Sequence, residues 1–250
     1  MKLTNNIYLI GSGARGCQLT DSYDCNIYLL DGGTEYALVD TGLGLGVDRI
    51  LFNICRHGLE PSRVRHLLLT HAHADHAGGA ARLRPLLDGD VNVAASESTA
   101  RVVRAGDEVG ASLDVAKKAG GYPSDYVYGA CPVATTLSEG MSIRVGKLTV
   151  SAIETPGHCN GHLAFLLNDD GSRSLFTGDA LFADGRIQLQ PIYDCDLAAT
   201  VSTLRKLRTL AVDALYPGHG VFVLSEADTH IERANQALDQ LRLPPQFIVS

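Results

Sequence analysis

Three histidines and one aspartate stand in a six-residue stretch, His71-Ala72-His73-Ala74-Asp75-His76, and this density constrains the fold more than any other feature. The whole chain has nine histidines in 250 residues. The stretch directly follows VRHLLLT (64–70), an apolar run typical of a strand that is buried on both faces. Imidazole and carboxylate groups are common ligands of zinc, iron and manganese. We therefore expect a buried strand whose end presents these side chains to bound metal.

Three further candidate ligands occur later in the chain, each directly after a glycine. His158 follows TPG, Asp179 follows FTG and His219 follows YPG. A glycine at such a position permits the turn that presents the next side chain at a strand end. Seven ligands suit two ions that share one carboxylate. The expected sets are His71, His73 and His158 for the first ion, and Asp75, His76 and His219 for the second, with Asp179 bridging them.

Five motifs carry a family resemblance along most of the chain: LVDTG (38–42), THAHADHAGG (70–79), TPGHCNGH (155–162), LFTGDALF (175–182) and LYPGHG (215–220). On these motifs the chain resembles the metallo-β-lactamase superfamily, and within it the glyoxalase II and lactonase branches. The resemblance implies an α/β fold, an αββα four-layer sandwich with a dinuclear metal site at one edge of its two sheets. It also implies that Asp40, in the first motif, orders the loop that carries the ligands.

Many connections between the predicted strands are too short for crossovers, so two sheets with helices outside them fit better than a doubly wound parallel sheet. Strands are predicted at 7–11, 25–33, 35–42, 64–70, 91–95, 142–145, 148–154, 163–167, 174–176 and 212–216. Helices are predicted from Asp48 as the N-cap, at 78–87, at 196–210, and at 226–241 behind a Ser225 cap. We expect one domain over residues 1–250, with a helical or loop insertion at about 98–136 that covers the metals as a lid.

The same resemblance implies a hydrolase that cleaves an ester-like bond of a small molecule (a lactone, a thioester or a carboxylic ester) with a hydroxide that bridges the two metals. Two divalent ions are expected; zinc is preferred, and iron and manganese are alternatives because the same ligands accept them. Asp75 is the expected catalytic residue, since it can orient or receive the proton. Tyr126, Tyr128, Phe182 and Tyr193 are expected to wall the substrate pocket.

Alternative activities are open at this point. True β-lactamases usually lack a bridging aspartate, so β-lactam hydrolysis is disfavoured. A persulfide dioxygenase would share the fold but use one iron held by the equivalents of His71, His158 and Asp179. A non-catalytic metal-binding module is the second alternative.

The composition of the chain limits the classes of partner that we expect it to bind. The chain has 21 basic and 28 acidic residues, a net charge of −7, which argues against a nucleic-acid partner. It has no apolar run of about 18 residues, so no membrane span is expected. The N-terminal residues do not resemble a signal peptide, and the six cysteines show no metal or disulfide spacing, so we expect a cytoplasmic protein. A homodimer is an open alternative to a monomer.

Overall fold

The computed structural model describes residues 1–169 and 171–248, and its first sheet has six strands in chain order. They are β1 (Ile7–Gly11), β2 (Ile27–Asp31), β3 (Tyr36–Val39), β4 (Val64–Leu68), β5 (Asn92–Ala95) and β6 (Thr135–Thr136). β1 to β3 pair antiparallel, whereas β3 to β6 pair parallel. The parallel half needs crossover connections, and these hold the helices and the metal-ligand loop.

The second sheet has five strands in the order β11-β10-β9-β8-β7. They are β7 (Ser142–Val145), β8 (Leu148–Glu154), β9 (Leu163–Asp169), β10 (Ser172–Gly178) and β11 (Ala214–Pro217). β7 to β10 form an antiparallel meander, and β11 pairs parallel with β10. The predicted two-sheet arrangement is therefore confirmed.

Helices pack on the outer face of each sheet. The first half of the chain has α1 (Val47–Arg56), α2 (Ala74–Ala77), α3 (Ala80–Leu83), α4 (Glu97–Ala105) and α5 (Leu113–Lys118); the second half has α6 (Leu197–Leu207) and α7 (Ala227–Asp239). Short 3₁₀ turns occupy Pro61–Arg63, Arg84–Leu86 and Ala183–Gly185. Within the described residues, no helix is long and apolar enough to cross a membrane.

β1 is buried on both faces although it lies at the edge of its sheet, which explains its nearly continuous apolar sequence. In β1, Ile7 and Leu9 pack into the core between the sheets, while Tyr8 and Ile10 pack into the core under α1. This alternation follows from the two-residue period of a strand. On the outer face of the second sheet, Leu204 of α6 and Ile231 of α7 join a third apolar core. The result is the αββα four-layer sandwich.

Three helix predictions need correction. The first helix begins at Val47 behind Gly46, and Asp48 lies in its first turn rather than at the cap. The last helix is preceded by Glu226 in the left-handed region, not by a Ser225 cap. The predicted helix at 78–87 is shorter, because Pro85 lies in a 3₁₀ turn directly after α3. Residues 98–136 hold most of α4, then α5, an irregular stretch and β6.

Candidate metal centre

Four strands of the sandwich end at one edge, and a candidate ligand follows each of them. The His71–His76 loop follows β4, His158 follows β8, Asp179 follows β10 and His219 follows β11. The predicted ligands thus come from both sheets and from sequence positions as far apart as 71 and 219. Six of the seven are buried, and His73 is partly exposed.

The first predicted set brings three ring nitrogens together. His73 Nδ1 lies 3.0 Å from His71 Nε2 and 3.0 Å from His158 Nε2. His71 and His158 are both buried. Since these nitrogens face one another at close range, the three side chains form one nitrogen donor set.

The second predicted set lies beside the first. His219 Nε2 is 3.1 Å from Asp75 Oδ2 and 3.3 Å from His76 Nε2. Asp179 reaches both sets, because its Oδ1 lies 3.3 Å from His76 Nε2 and its Oδ2 lies 3.7 Å from His158 Nε2. Asp179 thus lies between the two sets.

A chain of hydrogen bonds from Asp40 sets the tautomers of two of these histidines. Asp40 Oδ2 accepts from the Thr70 hydroxyl and from His76 Nδ1, each at 2.8 Å. Because the Thr70 proton points to Asp40, Thr70 Oγ1 accepts from His71 Nδ1 at 2.9 Å. Both histidines therefore keep a free lone pair on Nε2, the atom that faces the site. Asp40 itself has a left-handed backbone, with φ of 63°.

Two further contacts support the other ligands. His158 donates from Nδ1 to the Gln188 carbonyl oxygen at 2.9 Å, which leaves Nε2 unprotonated toward the site. His162 Nε2 accepts from the Asp179 backbone N–H at 3.1 Å, while its Nδ1 bonds the Thr155 hydroxyl at 2.8 Å. Burial and the neighbouring imidazoles lower the pKa of His162 well below its usual value, so it stays neutral as an acceptor.

The electrostatics favour neutral imidazoles at His71 and His73 and an ionised carboxylate at Asp179. His76 differs: burial opposes its charge, but Cys25 and Asp179 beside it raise the pKa of its imidazole well above the usual value. Burial, followed by the nearby His158, lowers the pKa of His73 to about 3, and burial lowers that of His71 as well. Burial opposes the charge of Asp179, but the imidazoles of His219 and His76 hold the pKa of its carboxyl well below the usual value. Except at His76, where a bound cation would take the place of the proton, these are the protonation states that a divalent cation requires of its ligands.

The spacing within the donor sets fits divalent-cation ligands. Nitrogen ligands about 2.0–2.1 Å from a tetrahedral metal lie about 3.3 Å from one another, close to the 3.0–3.3 Å found within each set. Asp179 Oδ1 is buried and has no hydrogen-bond partner among the described residues. A buried carboxylate oxygen without a hydrogen bond is costly unless a positive charge lies beside it, as His76 Nε2 does at 3.3 Å or as a bound cation would.

A cavity of about 450 Å³ opens beside His73, Asp75, Asp179 and His219. Its wall is mostly apolar. Beyond the ligand loop, the apolar residues come from four separate parts of the chain: Ala14 and Tyr23; Ala111, Leu113, Ala116, Ala119 and Tyr122; Phe182 and Ile192; and Phe247 and Ile248. Arg15 is the only lysine or arginine among the described lining residues. A cavity of this size and composition suits a small apolar ligand.

The predicted pocket residues need correction. Phe182 lines the cavity, but Tyr126, Tyr128 and Tyr193 are not among its described lining residues. The hydroxyls of Tyr126 and Tyr128 bond the carbonyls of Leu43 and Ala72, so both rings pack behind the ligand loop. Tyr193 is 64% exposed and donates to Asp114. These tyrosines were placed from their position in the sequence alone, and the backbone acceptors that hold two of them are distant in sequence.

Sequence reasoning missed Phe247 in the cavity wall and Gln188 behind His158. Neither residue stands in a motif, and both act through partners about 30 or more positions away. Tyr122 of the 98–136 segment lines the cavity, and the expectation that this segment covers the metals as a lid stays a prediction.

A family model described as the metallo-beta-lactamase superfamily matches residues 20–219. The match covers most of the chain and includes all seven candidate ligands. The chain belongs to the metallo-β-lactamase superfamily.

Curated relatives include thioesterases and lactamase-like proteins of fungi. The chain is 27% identical over 199 residues to an atrochrysone carboxyl ACP thioesterase of Aspergillus fumigatus, covering 79% of this chain and 51% of that protein. It is 28% identical over 209 residues to the thioesterase pkgB of Emericella nidulans, covering 82% and 48%. The chain spans about half the length of these relatives.

Solved structures show the same fold. BJP-1, a subclass B3 metallo-beta-lactamase of Bradyrhizobium japonicum, superposes with a TM-score of 0.73 at 21% identity, covering 96% of this chain and 91% of that one. Native FEZ-1 metallo-beta-lactamase from Legionella gormanii gives 0.70 at 20% identity, covering 94% and 92%. At these identities the likeness concerns the fold alone.

Proposed function

We propose that this member of the metallo-β-lactamase superfamily is a metal-dependent hydrolase that cleaves thioester or related ester bonds of small molecules. One observation carries the proposal: two adjacent donor sets share Asp179 at the floor of a largely apolar cavity. The thioesterase names of two relatives support the choice of bond. A lactone or a carboxylic ester has the same reacting carbonyl group, so both are included in the substrate panel below.

The residues would hold two divalent ions in the predicted division. His71, His73 and His158 form one set, Asp75, His76 and His219 form the other, and Asp179 is shared. We propose zinc, since nitrogen-rich sets with a few carboxylate oxygens suit it well. When bound, such ions polarise a carbonyl and lower the pKa of water to near neutrality.

The side chains at the cavity floor have distinct roles in this reaction. His73, Asp75, Asp179 and His219 border the cavity, so a substrate carbonyl placed there lies beside both sets. We assign to Asp75 the orientation of the attacking water and the acceptance of its proton. The nearby imidazoles keep the Asp75 carboxyl ionised: burial opposes its charge, but His76 and His219 hold its pKa below the usual value.

A protein nucleophile is not needed. Cys159, next to a ligand, is buried, and burial raises the pKa of its thiol well above the usual value. A protonated, enclosed thiol is a poor nucleophile. The water route through Asp75 therefore fits the site better than a covalent acyl-enzyme route.

The direct test is hydrolysis of a panel of acyl thioesters of N-acetylcysteamine, with matched lactones and p-nitrophenyl esters, by the protein as purified. Hydrolysis that is abolished by a chelator and restored by zinc is expected. Persulfide-dependent oxygen uptake without any hydrolysis would overturn the proposal and favour the mononuclear iron alternative.

A further inference from the structure

The segment Pro245–Ile248, here called the C-terminal segment, adds to the loop that supports His158. Ile187 donates its backbone N–H to the Pro245 carbonyl at 3.0 Å, and Phe247 donates to the Ile187 carbonyl at 2.7 Å. Side chains add two more bonds, from Leu189 N–H to Gln246 Oε1 at 2.8 Å and from Ile248 N–H to Gln188 Oε1 at 2.9 Å. Four hydrogen bonds in four residues hold this segment in a defined place.

Phe247 extends from that segment to the metal centre. Its ring stacks on Phe182, with centroids 4.4 Å apart and planes 16° apart, and lies 6.3 Å from the His219 ring. Gly220, directly after His219, has φ of 72°, and a Cβ placed there would come within 2.9 Å of Phe247 Cε2. The glycine therefore allows the aromatic ring to pack against the backbone beside a candidate ligand.

The same ring forms part of the cavity wall. Phe247 and Ile248 line the cavity together with Phe182, and Leu113, Ala116 and Tyr122 belong to the same lining. Phe247 is only partly buried, so one part of it packs on Phe182 while another part faces the cavity. An apolar surface of this kind gains free energy when it covers an apolar ligand.

We propose that the C-terminal segment is the specificity wall of the site and that Phe247 selects substrates with a bulky apolar acyl group over those with a short one. This inference rests on the proposed function, because it concerns the acyl side of the same ester or thioester. In the bound substrate, the acyl chain lies on Phe247 and Phe182 while its carbonyl lies at the cavity floor. The surface suits long aliphatic and aromatic acyl groups alike, and the test separates them.

The chain contains no tryptophan, so Phe247→Trp places a unique fluorescent reporter in the proposed wall. The metal-loaded variant is titrated with three product acids: acetate, octanoate and benzoate. We expect a saturable change in indole emission with octanoate or benzoate, with a Kd about tenfold or more below that of acetate. Phe52→Trp is the matched control, since Phe52 is 56% exposed on α1, and no saturable response is expected from it.

Kinetics give a second readout. Phe247→Ala is expected to lower kcat/KM about tenfold for octanoyl or benzoyl thioesters, mainly through a higher KM, and to change it less than about threefold for the acetyl thioester. Phe247→Leu keeps an apolar wall and is expected to retain most of the aliphatic selectivity. Phe52→Ala should leave all three substrates unchanged.

The outcomes separate the two proposals. A saturable indole response without hydrolysis of any ester or thioester refutes the proposed hydrolase and leaves the apolar wall in place. Hydrolysis with no indole response, or an equal loss for all acyl lengths in both Phe247→Ala and the folded Phe247→Leu variant, refutes the wall and leaves the hydrolase. A thermal unfolding curve for each variant identifies those that do not fold.

Discussion

The ligand loop after β4 and the wall of the cavity contribute to one site, but they are built differently. Four of the seven candidate ligands lie between His71 and His76, and the side chains that orient them belong to short motifs. The wall is assembled from four segments, 14–24, 111–122, 182–192 and 247–248, and of these only Phe182 stands in a motif. The difference teaches that the chemistry of this site is encoded locally, whereas its selectivity depends on contacts between distant parts of the chain.

The largest effect is expected from the residue that both donor sets share. Asp179→Asn removes one negative charge from between the two sets, so kcat/KM for the best thioester should fall roughly a thousandfold. The metal retained per chain should fall as well. Asp184→Asn is the matched control, because Asp184 is exposed and lies in the same segment. Unchanged activity in Asp179→Asn would show that the shared position has no role in the chemistry.

A smaller effect is expected from Asp40, which is not a candidate ligand but orients candidate ligands through hydrogen bonds. Asp40→Asn places an amide where the carboxylate accepts from both Thr70 and His76. Asparagine tolerates the left-handed backbone at this position, so the fold should persist. Metal affinity is expected to fall about 10–100-fold. Competition with a chelator measures it, and equal affinity in Asp40→Asn and in the exposed control Asp48→Asn would contradict this role for Asp40.

Asp24 tests the cavity wall through stability instead of activity. Burial raises the pKa of its carboxyl to about 6, from 3.8 in the unfolded chain. Because the folded pKa is the higher one, ionisation of Asp24 lowers stability as pH rises from about 4 to about 6. Asp24→Asn should therefore be more stable than the wild type at pH 7.5, by roughly 2–3 kcal/mol, and equal to it near pH 4.

Urea unfolding of the metal-loaded protein at both pH values measures this difference. Asp48→Asn, which changes an exposed carboxylate, should show no such pH dependence. A loss of stability in Asp24→Asn at pH 7.5 would mean that the Asp24 carboxylate, whose Oδ1 accepts from the Leu43 N–H at 2.8 Å, stabilises the fold in its ionised form.

The smallest effect separates a tyrosine in the cavity wall from an exposed tyrosine that was expected there. Tyr122 lines the cavity, whereas Tyr193 is 64% exposed and bonds Asp114. Tyr122→Ala should raise KM for an octanoyl thioester several-fold, roughly in line with the loss of part of an aromatic contact. Tyr193→Ala should change KM less than about twofold. The reverse order in a steady-state assay would place the substrate outside the cavity described here.

Most of the fold could be predicted because strand and helix periods are visible in the sequence. β1, β4 and β8 carry apolar residues at the expected positions, and the predicted two-sheet arrangement follows from the short connections. Helix starts were less predictable. Glu226 precedes α7 with a left-handed backbone and no side-chain cap, and no propensity rule points to that residue.

The candidate ligands could be predicted for a similar reason: each stands in a short motif at a strand end. The groups that orient these ligands could be predicted only in part. Asp40 was expected from its motif, but the Gln188 carbonyl that holds His158 and the ring of Phe247 beside His219 belong to segments without any motif. Such contacts depend on how the loops pack, and the sequence of either partner alone does not determine them.

The central claim, a dinuclear metal centre built from these seven side chains, is tested most directly by the metal content of the protein as purified without added metal. Elemental analysis is predicted to find about two equivalents of divalent metal per chain, mainly zinc, and about one or fewer in Asp179→Asn. About one equivalent of iron and little else in the wild type would contradict the claim and favour a mononuclear centre.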